Sequence, residues 1–413
     1  MRSYLTVAEA QACILERVRP AGRERVPLHE SLGRVLAEDV ISNRNHPPFD
    51  VSAMDGYAVR HADLRDGPRE LDVVDDIRAG HMPRAKVLPG KAARIMTGAP
   101  VPAGADTVVR VEDTEEPAEH RVRILKAPEP GANIRRKGEN LMRGRVAVRA
   151  GATITPGVLA LLAMVKCREA TVFERPEVAI LATGDELEAL DEPLDETKVP
   201  DANSHALYAQ CKALGIEARL LGIARDNPVE LKAKLAEGLK DDVLLASGGV
   251  SVGHHDFVRP VLESLGITMH FWRVAMRPGH PLAFGTGPEG QCVFGLPGNP
   301  VSSMVCFEQF VAPALWRMMG HRRLFRQTAE ARLAHPLRDR AGRMHFVRAR
   351  IHRDASGEFV AESTGAQGSG VLRSMAEADG FIVVPEEVET LPEGATVTVQ
   401  LLDDMAWTKE AGI

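Results

Sequence analysis

Between Val178 and Gly320 the chain carries short apolar runs in which hydrophobic positions do not alternate with polar ones. A strand with one wet face alternates, whereas an unbroken Val/Ile/Leu/Ala run is buried on both faces. VAILAT, DVLLAS and CVFGL are runs of this kind, and each empties into a glycine-rich turn. Between them, SHALYAQCKALG and NPVELKAKLAEGLK have helical spacing. The pattern predicts a right-handed βαβ wind from about residue 174 to 320, with a parallel sheet covered by helices. In such sheets ligands bind at the carboxyl ends of the strands, where these turns fall.

The flanks read differently. MRSYLTVAEAQACILERV predicts an amphipathic helix, since Glu16 and Arg17 break any signal-peptide core. SLGRVLAEDV predicts a helix stop at Gly33 and a short strand. NRNHPPFDVSAMDGYAV reads as a loop rich in polar groups. Leu71 to Val148 predicts a small all-β module, PGVLALLAMVKC a helix, and the last ninety or so residues (GRMHFVRARI, GEFVAES, DGFIVVPEE, ATVTVQLL) a second β module. The 413 residues exceed the roughly 250 to 300 that one core sustains, so several domains are expected.

A formal net charge of −6 supplies no basic field, which argues against nucleic acid and anionic membrane as partners. No apolar window approaches the length of a membrane span. The five cysteines are far apart and include no Cys-x-x-Cys pair, which favours small core hydrophobes in a reducing cytoplasm over disulfides or structural zinc. The acidic run from Asp185 to Glu196 reads as a solvated loop.

Two phosphate motifs fail on inspection. Gly285, Gly287 and Gly290 spell G-x-G-x-x-G, but Pro288 interrupts it and a strand follows, so it reads as a hairpin turn. Gly90 and Lys91 lack the hydroxyl residue of a P-loop, and no lysine lies between Lys240 and Lys409.

Four motifs carry chemistry. The first, Thr183 to Glu186, sets a hydroxyl and the acids Asp185 and Glu186 beside Gly184, which suits Mg²⁺, although Thr183 or Asp185 could equally cap a helix. In SGGVSVGHHD, Ser247, Gly248, Gly249, Ser251, Gly253 and Asp256 crowd donors, hydroxyls and a carboxylate into one turn; His254 and His255 read as a solvated pair. LPGNPVS places Asn299 as N-cap and Pro300 in the first helical turn, with Pro297 and Ser302 flanking an anion-ready start. FWRVAMRPGHP holds Arg273, Arg277 and His280 around a Pro-Gly turn, cations that suit an oxyanion.

These motifs, together with SAMDGYAV, RIMTGAPVPAGADTVV, GANIRRKGEN and GAQGSGVL, resemble in this order the molybdopterin molybdenumtransferases, which complete molybdenum cofactor assembly and include a domain of gephyrin. The resemblance implies a multidomain α/β plus β fold in a homodimer. Domain I would be discontinuous (1–42 with 143–173), domain II a β-rich insertion (43–142), domain III the central α/β molybdopterin-binding-like domain (174–320) and domain IV a C-terminal β-barrel-like domain (325–408). It implies hydrolysis of adenylylated molybdopterin, with release of AMP and transfer of molybdate, assisted by Mg²⁺. It also implies transient contact with the molybdopterin adenylyltransferase. Asp55, Thr97, Glu186, Asp226 and Asp256 match the family's functional acids and hydroxyl, with Glu186 and Asp256 as metal ligands. Pro297 and Pro300 shape its pterin loop; Arg277, His280, Arg348 and Ser369 fall where it holds molybdate.

The chain departs from the family pattern where lysines are common, at Arg273, Arg277 and His280, and where an Asp is common, at Asn140. An imidazole at 280 implies molybdate capture that weakens above about pH 7. A tungstate-preferring paralogue and a non-catalytic scaffold of the same fold are the alternative readings; the retained acids favour catalysis.

Overall fold

The computed structural model of the chain describes residues 2–65, 68–249 and 258–402. These divide into two compact units, residues 25–171 and residues 1–24 with 172–413.

The larger unit is built on a seven-stranded sheet. Its members are β1 (Arg2–Leu5), β2 (Val178–Thr183), β3 (Ala218–Ala224), β4 (Val243–Ser247), β5 (Thr268–Val274), β6 (Ala283–Thr286) and β7 (Cys292–Leu296), in the spatial order β1-β5-β6-β7-β4-β2-β3. The unbroken runs are buried on both faces, as their pattern requires. Val178, Ile180, Val243 and Leu245 enter one hydrophobic cluster, while Ala179, Leu181, Leu244 and Ala246 enter another on the opposite face. Each fully buried Leu or Ile contributes about 1.5–3 kcal/mol.

The sheet is mixed rather than parallel throughout. β6 runs antiparallel to β7, because the short turn at Gly287–Gly290 can join only antiparallel neighbours, and it is antiparallel to β5 as well. β7, β4, β2 and β3 keep the parallel core. A second departure is β1, a strand ahead of the expected helix, which pairs parallel with β5. After β1, α1 (Val7–Arg17) starts with a capping box formed by Thr6 and Glu9.

Helices α2 (Ala202–Ala213), α3 (Pro228–Gly238) and α4 (Val258–Ser264) link the strands. α5 (Pro300–Cys306) continues through a π-helical turn, Phe307–Val311, into Ala312–Met318. A closed five-stranded barrel follows: β8 (Thr328–Leu333), β9 (Met344–Arg353), β10 (Phe359–Ser363), β11 (Gly380–Val384) and β12 (Thr396–Leu401), with β9 pairing both β10 and β11 to close the ring. Met276–Arg277 pairs parallel with Met344–His345, tying the turn after β5 to the barrel.

The smaller unit carries a six-stranded sheet in which Gly56–Val59 lies between Thr107–Arg110 and Lys91–Ile95. Among the described residues, no helix is long and apolar enough to cross a membrane.

Candidate functional site

Register alone brings three glycine turns to one edge. Thr183 pairs with Ala224, Ala182 with Ser247, and Ser247 with Leu296, so the segments after β2, β3, β4 and β7 open side by side.

At the β2 turn, Gly184 has φ +148, and a Cβ there would lie 2.6 Å from the Glu186 carboxylate. Its N–H donates to the Ala224 carbonyl at 3.1 Å. Asp185 Oδ1 accepts from the Asp226 N–H at 3.0 Å, so this acid braces the loop after β3. Glu186 and Asp226 are exposed. Two cations that the sequence did not flag support the turn: Lys198 Nζ donates to the Asp185 carbonyl, and Arg225 Nη1 to the Leu187 carbonyl at 2.6 Å.

At the β4 turn, Gly248 has φ +95, and a Cβ would sit 2.4 Å from the Thr183 carbonyl oxygen. Gly249 follows at φ +61, with Val258 Cγ2 2.6 Å from where its Cβ would be. Ser251, Gly253 and Asp256 lie outside the described residues, as do His254 and His255.

The β7 turn leads into α5. Pro300 occupies its first turn and Asn299 the position before it, but the Asn299 side chain makes no capping bond. The start is met by the barrel side instead, where the Ser369 carbonyl accepts the Val301 N–H at 3.2 Å. Pro297 and Ser302 are buried, whereas Asn299 is exposed.

Ser369 connects this turn to the most unusual charge in the chain. Arg348 on β9 is 0% exposed. Its Nε donates to Ser374 Oγ at 3.2 Å and its Nη2 to the Gly368 carbonyl at 3.2 Å, both neutral, while Nη1 is buried with no partner. Among the described residues no carboxylate pairs with it, and burial pushes its pKa down to about 10. An uncompensated buried cation is costly, and an anion relieves that cost.

The loop after β5 lies on the same edge. Arg277 Nη1 donates to Asp339 Oδ1 at 2.5 Å, and His345 Nδ1 to Asp339 Oδ2 at 2.5 Å. Arg273 closes β5 with φ +83. The half-buried His280 donates from Nδ1 to the Val274 carbonyl at 2.8 Å, leaving Nε2 as the second ring nitrogen. The Tyr4 ring stands edge-on to it at 5.2 Å, and the Tyr4 hydroxyl accepts from Arg343 Nε. Burial depresses the His280 pKa, the Val274 bond opposes this, and nearby Arg343 and Arg273 add to the depression. The imidazolium therefore forms only on the acid side of its usual range, so the expected change above pH 7 moves to lower pH.

The smaller unit holds its own pair. Asp55 Oδ1 accepts from the Thr97 N–H at 2.7 Å and from Thr97 Oγ1 at 2.8 Å, and these bonds hold the carboxyl below its ordinary pKa. Gly98, next in sequence, lines a cleft of about 720 Å³ with His46, Arg135, Glu139 and Asn140. Among the described residues, no group of three or more His, Cys, Asp or Glu side chains is arranged to hold a metal.

Family models match the chain in three blocks: the MoeA N-terminal region (domains I and II) over residues 5–165, a probable molybdopterin binding domain over 179–317, and the MoeA C-terminal region (domain IV) over 330–402. A molybdopterin molybdenumtransferase of Haemophilus influenzae is 37% identical over 96% of this chain and 98% of its own length. The chain belongs to the molybdopterin molybdenumtransferase family. A Bacillus subtilis member is 35% identical over 97% of this chain and 95% of its own. The crystal structure of a molybdopterin biosynthesis MoeA protein from Pyrococcus horikoshii superposes with a TM-score of 0.81 at 34% identity, covering 97% of this chain and 99% of that one. The family's molybdopterin binding block, 179–317, contains all three glycine turns.

Proposed function

We propose that this chain transfers molybdenum from molybdate to the dithiolene of adenylylated molybdopterin, with hydrolysis of the phosphoanhydride and release of AMP. One observation carries the reading: a wholly buried guanidinium with no counter-charge among the described residues, tied through Gly368 and Ser369 to the first turn of α5, on the edge where the glycine turns open. A doubly negative oxyanion is the ligand such a group suits. The glycine turns leave room for a pyrophosphate to approach backbone.

In this reading Arg348, Arg277 and Ser369 hold molybdate while the turns after β2, β4 and β7 seat the pterin nucleotide. Water adds to a phosphorus of the anhydride, the bridging P–O bond breaks, and AMP and the pterin phosphate separate with their protons released to solvent. The two dithiolene sulfurs then form Mo–S bonds as one Mo–O bond breaks, that oxide leaving as water with the two thiol protons and molybdenum keeping its oxidation state. No enzyme nucleophile is required. Glu186 and Asp256 are the proposed Mg²⁺ ligands. The Glu186 carboxylate fits that role, because it folds over Gly184 where any Cβ would collide with it. Mg²⁺ would neutralise the phosphoanhydride charge. Asp185 holds the Asp226 backbone N–H, and Asp55 holds the Thr97 N–H and hydroxyl, which positions both acids' loops. The four domains bounded as above, a homodimer, transient contact with the molybdopterin adenylyltransferase and a cytoplasmic site of action complete the proposal.

The test is AMP release from adenylylated molybdopterin with Mg²⁺, with and without molybdate or tungstate. Glu186→Ala should reduce the Mg²⁺-dependent rate about a hundredfold. Equal rates with and without Mg²⁺ in both proteins would contradict the assignment.

His280 gives a pH signature. Because burial and the nearby Arg343 and Arg273 depress its pKa, the ring is neutral at pH 7 to 8, adds no charge there, and gains its proton only on the acid side of the ordinary imidazole range. Molybdate affinity by isothermal titration should therefore be flat between pH 7 and 8 and tighten in acid. His280→Lys should bind more tightly at pH 7.5 and lose the acid limb. A steep weakening across pH 7 to 8 in the parent protein would contradict this.

A further inference from the structure

We infer that Asn203 is a positioning residue that sets the spacing of the nucleotide crevice by bridging two of its glycine turns. The inference rests on the reading of that edge as the pterin nucleotide site. Asn203 lies in the first turn of α2, where Asp201 already caps the helix by accepting from the Ser204 N–H at 3.0 Å. Helix capping therefore does not need Asn203. Its side chain crosses to the sheet edge, where Nδ2 donates to Ser247 Oγ at 2.8 Å and to the Gly298 carbonyl at 2.8 Å.

Those acceptors belong to the turns after β4 and β7. One NH₂ group uses both its hydrogens to span them, and Ser247 Oγ in turn donates to the Pro297 carbonyl at 3.4 Å. Neighbouring features make the spacing matter. Gly248 N–H donates to the Leu296 carbonyl at 3.0 Å, and a Cβ on Gly298 would lie 3.7 Å from the Gly248 Cα. The backbones of the two turns thus approach with no side chain between them. A bridge that touches neither backbone N–H group of the glycine pair, yet fixes both turns, acts on ligand binding through geometry.

Asn203→Ala removes both donations and Asn203→Asp is isosteric but cannot donate, while an acid in a first helical turn is favourable for folding. With the parent enzyme active, Asn203→Ala should raise KM for adenylylated molybdopterin about tenfold with kcat within about twofold, and Asn203→Asp should raise it further by adding negative charge. Loss of folded enzyme lowers kcat without moving KM, so the split separates positioning from stability. Asn203→Ala and Ser247→Ala should also be strongly non-additive in KM, since both remove the same bridge. An unchanged KM in both Asn203 variants, or a fall in kcat alone, would overturn the inference. Absence of AMP release by the parent protein would instead overturn the functional reading.

Discussion

Replacing Arg348 by Met should stabilise the protein while abolishing its response to molybdate. The two effects have one cause. The guanidinium is completely buried, its two hydrogen bonds go to the neutral Ser374 hydroxyl and Gly368 carbonyl, and among the described residues Nη1 has no partner. Burial alone drives its pKa down to about 10, so the folded chain carries the charge at a cost. Methionine fills similar volume without that charge, and stability should rise by about 1–3 kcal/mol in urea unfolding. Molybdate affinity should fall at least about a hundredfold, the worth of two charge-assisted bonds. A variant that unfolds more readily, or that still binds molybdate normally, would contradict the assignment.

Gly248→Ala should be the most damaging small change at the crevice. The position has φ +95, and a Cβ would sit 2.4 Å from the Thr183 carbonyl oxygen, a backbone atom of a fully buried strand that cannot move aside. Strain and collision together should cost about 3 kcal/mol. AMP release should fall at least about tenfold even where the protein stays folded, because the turn must shift away from β2. Gly290 supplies the control: it has the same φ of +95, with nothing within 4 Å of a Cβ. Gly290→Ala should cost only about 1–2 kcal/mol and leave activity unchanged. Equal effects at the two positions would remove the argument from close approach.

How much of this was legible in the sequence depended on whether the signal was local. Runs such as VAILAT announce strands because burial on both faces excludes polar residues, and Gly285–Gly290 announces a hairpin through its own turn chemistry. The same hairpin made β6 antiparallel, a consequence the parallel-sheet expectation did not carry through. The strand Arg2–Leu5 was not legible, since a short edge strand pairs through backbone and needs no apolar run. The resemblance pointed to Arg348, but its burial could not be read from HFVRARI. That stretch alternates as a half-exposed strand would; Val347, Ala349 and Ile351 fill the barrel, while Arg348 lies on the outer face beside Phe346 and is covered by the distant segment that carries Gln367, Gly368 and Ser374. Asn203 looked like an ordinary polar residue at a helix start, because its partners are contributed by turns far away in sequence.

Arrival of molybdenum on the pterin is the decisive event. Purified protein, adenylylated molybdopterin, molybdate and Mg²⁺ should together yield AMP and a product that activates a cofactor-free molybdoenzyme, with neither outcome when Arg348 is replaced by Met. AMP release that proceeds equally without molybdate, or a product that never activates the acceptor enzyme, would contradict it.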